Sequence, residues 1–93
     1  MQKFVIERRI PGAGKMSLSD LQTVARKSVA VLANLGAEIQ WVESYVAGEK
    51  IYCVYLAADE DLIREHGRLT SIPVSSVEKV FRVIDPTIAE ATA

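Results

Sequence analysis

An α+β domain, with four antiparallel strands and two helices on one face, is predicted by three features of this sequence. Four stretches have strand composition, two amphipathic stretches carry helix-cap residues, and their order is β-α-β-β-α-β. At 93 residues, 49% hydrophobic and 25% charged, the chain suits one packed domain and is too apolar to stay disordered.

The segment KFVIERRI is rich in β-branched and aromatic residues, and Phe4 and Ile6 alternate with Val5 and Glu7, so residues 3–9 read as a strand. PGAG follows as a loop. The next twenty residues open with two cap signatures, Ser17 three before Asp20 and Ser19 three before Gln22, and close on Gly36. Between them Leu21, Val24, Ala25, Ser28, Val31, Leu32 and Leu35 recur at three and four, which predicts a helix with one apolar stripe. That stripe, opposite the polar Gln22, Arg26 and Lys27, casts the helix as a stability element and not a site. IQWVESYV (39–46) and IYCVYLA (51–57) flank the connector AGEK and read as a β-hairpin. Asp59, Glu60 and Asp61 open a second helix where carboxylates suit the dipole, and Arg64 and Arg68 lie toward its end. Pro73 bars its continuation. SVEKVFRVID (76–85) alternates into a last strand that stops at Asp85-Pro86. Residues 1–86 thus form a single domain of the ferredoxin-like βαββαβ type, and the tail 87–93 is expected to fray.

Several partner classes are excluded at the same level. Eleven Lys plus Arg against twelve Asp plus Glu leave no polycation, so nucleic acid is not the expected partner. No apolar run approaches the ~20 residues that span a bilayer, and charge interrupts the N-terminal segment, which predicts a soluble cytoplasmic protein without a membrane partner. The lone Cys53 completes no disulfide or CxxC pair and reads as a small buried hydrophobe with no activating cation beside it. The hairpin strands are apolar on both faces: Ile39, Trp41 and Tyr45 alternate with Val42 and Val46, and Ile51, Cys53 and Tyr55 with Tyr52, Val54 and Leu56. Two helices cover one face only, so the other calls for a second subunit, and a homodimer is expected.

Chemistry is less plainly written. PGAGKMS is no phosphate loop, because the positions a Walker motif reserves for Gly and Ser or Thr hold Arg9 and Met16, and no nucleotide cofactor is expected. No G-x-S-x-G elbow occurs. Glu7 and Glu43 interrupt otherwise apolar strands, and His66, the single histidine, falls on or beside the packing face of the second helix. If the three converge, they make a carboxylate-imidazole set of the kind a divalent metal such as nickel or zinc accepts. Apart from that set, each has a plainer role: a salt bridge to arginine for the glutamates, the edge of the core for the histidine. Trp41, Tyr45 and Tyr55 are the candidates for an aromatic pocket wall.

The segments FVIERRIPGAGK, IQWVESYV, KIYCVYLA and REHGRL with the following Ile72-Pro73 resemble a small domain-of-unknown-function family named after a bacterial nickel-binding protein. The resemblance runs from Phe4 to Pro86. It implies a ferredoxin-like, dimeric α+β barrel and a link to nickel. Members similar to the nickel binder carry histidines at the end of the first strand and before the proline after the second helix. Here those places read Glu7-Arg8-Arg9 and Ser71-Ile72-Pro73, and only His66 keeps an imidazole nearby. Two functions follow, beside a dimer that binds no ligand. The first is a dimer that binds a divalent metal through Glu7, Glu43 and His66 and is not clearly catalytic. The alternative is a small-molecule-binding or catalytic dimeric barrel, in which a glutamate and His66 act as base and acid beside an aromatic pocket.

Overall fold

The computed structural model describes residues 1–90. Strand β1 (Gln2–Arg9) leads through a 3-10 turn (Ala13–Lys15) into helix α1 (Leu18–Leu35). The hairpin β2 (Ile39–Ala47) and β3 (Lys50–Ala57) follows, then helix α2 (Glu60–Thr70), strand β4 (Ser76–Lys79) and a 3-10 turn (Pro86–Glu90). The four strands form one antiparallel sheet in the order β2-β3-β1-β4, the ferredoxin-like arrangement. No helix among the described residues is long and apolar enough to cross a membrane.

Strict alternation sets the sheet's two faces. On β1, Phe4, Ile6 and Arg8 are buried, and on β3 so are Ile51, Cys53, Tyr55 and Ala57. Both rows point toward the helices, where Ile63 of α2 is fully buried against them. The intervening Val5, Glu7, Tyr52 and Val54 lie on the opposite, open face.

On β2 the alternation breaks. Trp41 pairs with Tyr55, but the next paired residue is Glu43, opposite Val54, because a bulge at position 42 inserts one unpaired residue. Before the bulge the odd-numbered Ile39 and Trp41 face the helices, and after it the even-numbered Ser44, opposite Cys53, does. The expected common face of Ile39, Trp41 and Tyr45 is therefore corrected: Tyr45 pairs with Tyr52 on the open side.

Both helices begin as their cap residues dictate. Ser17 accepts from the Asp20 amide at 3.0 Å while the Asp20 carboxylate accepts from the Ser17 amide, a complete capping box. Asp59 caps α2 by accepting from the Leu62 amide. The helices differ in how they seat. On α2, Ile63, His66, Gly67 and Thr70 are buried, whereas the only buried residue of α1 is Ser28. Gly67 permits the close seat, since a Cβ there would stand 2.6 Å from Cγ2 of Val74. In the first loop Gly14 donates to the Gly48 carbonyl at 2.7 Å, locking the turn before α1 onto the hairpin tip.

The last strand is shorter than the alternation predicts. Instead of 76–85, only Ser76–Lys79 enters the ladder, and the Val80 amide makes one further bond to the Lys3 carbonyl at 2.8 Å. β1 begins at Gln2, which the register sets opposite residue 81, so residues 82–84 run past the start of their partner strand. Residues 81–84 have no regular structure and lie outside the sheet, with Phe81 84% exposed and Val83 68% exposed. Of the tail expected to fray, residues up to Glu90 form the short exposed 3-10 turn, and 91–93 lie outside the described residues.

Candidate functional site

Arg8 ends the inward row of β1, and its position there follows from parity with Phe4 and Ile6. Although charged, it is only 2% exposed. Its Nε donates to Sγ of Cys53 at 3.4 Å, and Nη1 donates to the carbonyls of Ile72 and Pro73, at 3.3 and 3.2 Å, in the loop after α2. A second line of donors reaches the same sulfur from β2. Trp41 Nε1 donates to Ser44 Oγ at 2.8 Å, and that hydroxyl donates to Cys53 Sγ at 3.0 Å.

The helices complete this polar floor. Ser28 of α1 meets His66 of α2, with Oγ 3.0 Å from Nε2 and the Ser28 carbonyl at 3.4 Å from the same nitrogen. His66 is fully buried, and its Nδ1 has no partner among the described residues. The Tyr55 ring lies beside it, centroids 5.5 Å apart at a 55° tilt. Burial pushes the His66 pKa down, the Ser28 carbonyl opposes that shift, and Arg8 adds to it. Burial pushes the Tyr55 hydroxyl up, against Ser28 and Arg8, which favour its ionised form. Both shifts favour the neutral ring, and the guanidinium is the formal charge of this region.

Above the floor lies a cavity of about 210 Å³. Arg8, Ser28, Trp41, Ser44, Cys53 and Tyr55 line it from the sheet and the helix junction, and Leu21, Val24 and Ala25 of α1 form an apolar roof. The half-buried stripe of α1 and this cavity have one cause: the helix bridges over small side chains, Ser44 and Cys53, without filling the space above them. Helix α1, expected as a stability element, also lines this cavity, and the reading of Cys53 as a thiol with no cation beside it is corrected, since Arg8 Nε donates to its sulfur.

The three residues expected to share a metal site are not brought together. Glu7 and Glu43 stand on the open face, while His66 lies beneath the opposite one, with the sheet between. Lys50 Nζ is 2.5 Å from Glu7 Oε1 and holds that carboxyl below the usual carboxylate range. Glu43 accepts a hydrogen bond from the Tyr45 hydroxyl, whose pKa it raises. Among the described residues no three His, Cys, Asp or Glu side chains converge as a metal cluster, so these residues do not fit a mononuclear nickel site within one copy. Of the expected pocket aromatics, Trp41 and Tyr55 line the cavity. Tyr45 does not, because the bulge turns it outward. Arg8, Ser28 and Ser44 were not foreseen as site residues. Parity with Phe4 and Ile6 was the available signal for Arg8, whereas nothing local marks the bulge that turns Ser44 inward.

The match to the model of the family described as nickel responsive protein SCO4226-like spans residues 4–80. No curated protein matches the chain. Among solved structures, SCO4226 from Streptomyces coelicolor A3(2) superposes with a TM-score of 0.72 at 13% identity, covering 88% of this chain and 99% of that one, a likeness of fold. With the fold shared and more than three quarters of its length matched, this chain belongs to the nickel responsive protein SCO4226-like family.

Proposed function

We propose that this protein binds a small organic molecule in the cavity beneath α1. The observation that carries this reading is the cavity itself: a largely apolar space whose lining includes Arg8, Ser28, Ser44 and Tyr55, drawn from three strands and α1, next to two groups, Tyr55 and His66, with shifted pKa values. At about 210 Å³ it falls below the ~300–1,000 Å³ of sites for drug-sized ligands, so its ligand is smaller, on the order of ten non-hydrogen atoms. Trp41 is the only tryptophan and lines the cavity, so its emission reports occupancy directly. Small aromatic and aliphatic compounds should change that emission saturably in wild type, and Ala25→Phe, which fills the space under the roof, should abolish the change. Equal responses in both proteins would overturn the reading.

The working unit in this proposal is a homodimer. Val42 and Tyr45 leave apolar surface on the open face, and residues 81–84 carry Phe81, Val83 and Ile84 with no sheet partner. A second copy laid on this face covers the first group and gives the second a strand to pair with.

Nickel handling is a second reading, favoured by the family's description. In it Glu7 and Glu43 are the ligand candidates on the face where two copies would meet, and His66 is not in reach of them. Titration of metal-free protein with nickel and zinc tests it, with Glu43→Gln expected to weaken binding and His66→Ala expected to leave the affinity of folded protein unchanged. Absence of binding tighter than ~1 mM in wild type removes this reading.

A further inference from the structure

We infer that the cavity ligand is a small organic monoanion, a carboxylate on a compact apolar body, and that Arg8 is the residue that binds its charge. The inference rests on the small-molecule reading above and goes past it to the class of ligand. Arg8 is a buried cation on the cavity wall, and among the described residues no carboxylate lies within ion-pair distance of it. The groups it does engage are uncharged or weakly polar: two backbone carbonyls, the Cys53 sulfur and the nearby Tyr55 hydroxyl. The bonds to the carbonyls and the sulfur use Nε and Nη1. A guanidinium taken out of water without a counter-charge is costly to the fold, and an anion bound beside it would offset that cost.

The rest of the lining fixes what accompanies the charge. The Ser44 hydroxyl already gives its proton to Cys53 and the Ser28 hydroxyl is engaged with His66, so Arg8 is the one charge the lining offers: one negative charge is matched and two are not. Leu21, Val24 and Ala25 of the roof accept only an apolar body. A phosphate would bring a second charge and no apolar part to fill the roof, and an amine would meet Arg8 with like charge.

The test compares carboxylates with their neutral isosteres: benzoate, phenylacetate and hexanoate, each beside its primary amide, followed by Trp41 emission and by calorimetry on the full chain. At least one acid should bind ~10–100-fold tighter than its amide, the discrimination expected of a desolvated charge-assisted pair. Arg8→Met should remove that preference, bringing acid and amide within about threefold of each other by the same argument. The wild-type comparison stands by itself should Arg8→Met not fold. If amides bind as tightly as acids and Ala25→Phe abolishes both, the cavity is a ligand site but the anion inference is overturned. If no acid or amide binds, or if Ala25→Phe changes nothing, the small-molecule reading falls and this inference with it.

Discussion

The two faces of the sheet make opposite use of polar residues. Toward the helices, the row Arg8, Ser28, Ser44, Cys53, Tyr55 and His66 is sheltered from solvent and linked by hydrogen bonds, with one uncompensated charge among neutral partners. On the open face, Glu7 is neutralised by Lys50 and Glu43 is bonded to Tyr45, while the apolar residues around them stay half-exposed or exposed. A charge in water beside its partner is accounted for by the surface it sits on. A buried charge with no counter-charge is not, and that contrast separates the candidate site from ordinary sheet decoration.

Stability should show the contrast most strongly. Ile63 is fully buried on the helix-facing side, and Ile63→Ala should cost about 2–5 kcal/mol in denaturant unfolding. Leu32, half-buried on the loosely seated α1, should cost less when cut to Ala, about 1–2 kcal/mol by the area it hides. Equal losses at the two positions would mean that α1 is packed as tightly as α2 and that the cavity beneath it closes in solution.

Assembly sharpens the same comparison from the other side. If the open face meets a second copy, sedimentation at micromolar concentration should give about 20 kDa, twice the 10.2 kDa chain. Val42→Asp, which puts a charge at the bulge, and Phe81→Ser, in the unpaired segment after β4, should shift the species toward the single chain while leaving the helix signal intact. A monodisperse species near 10.2 kDa in wild type would mean that the open face is simply exposed.

The fold was legible in the sequence because periodicity and caps are local. Ser17 with Asp20, Asp59, Gly36 and the alternation of β1 and β3 each announce their structure within a few residues. The site was not legible, for two reasons. The bulge at Val42 reverses the parity of β2 without a glycine or proline to mark it, so Tyr45 was assigned inward and Ser44 was passed over. Glu7 and Glu43 also stand out as charges in apolar strands, whereas the charge that parity buries is Arg8. Residues 81–85 failed for a different reason, since alternation shows that a segment can pair and says nothing of whether a partner strand extends alongside it.

A smaller effect should appear with pH. Burial lowers the His66 pKa in the folded protein, so the unfolded chain takes up that proton first as pH falls. The stability contributed by neutral His66 is therefore complete above the unfolded value, about 6.5, and is lost as pH drops from there toward the depressed folded value. The open-face carboxyl of Glu7, whose pKa is lowered by Lys50, gives a small, solvent-screened contribution that is present above its ordinary 4.5 and is lost as pH falls below that value. His66→Gln should flatten the stability profile between about pH 6.5 and the carboxylate range while leaving the acid limb in place. A profile unchanged by that substitution would mean the imidazole is solvated, and the buried side of the comparison would lose one of its members.

The smallest effect should come from Glu7→Gln, and it is the cleanest contrast because its neighbour in sequence is Arg8. The two side chains are adjacent on β1 and point to opposite faces, one to a lysine at the surface and the other to buried sulfur and carbonyls. Glu7→Gln leaves Lys50 free to be solvated, since its amine is already part-exposed, so the thermal midpoint at neutral pH should stay at the wild-type position. The same substitution should leave Trp41 emission and carboxylate binding untouched, because the sheet separates Glu7 from the cavity. Arg8→Met should do the reverse, altering ligand preference and, by removing a buried cation with no counter-charge, leaving stability unchanged or higher if the Ile72 and Pro73 carbonyls reach solvent. Loss of ligand binding in Glu7→Gln would mean that the open face contributes to the site, and the division of labour between the two faces would have to be redrawn.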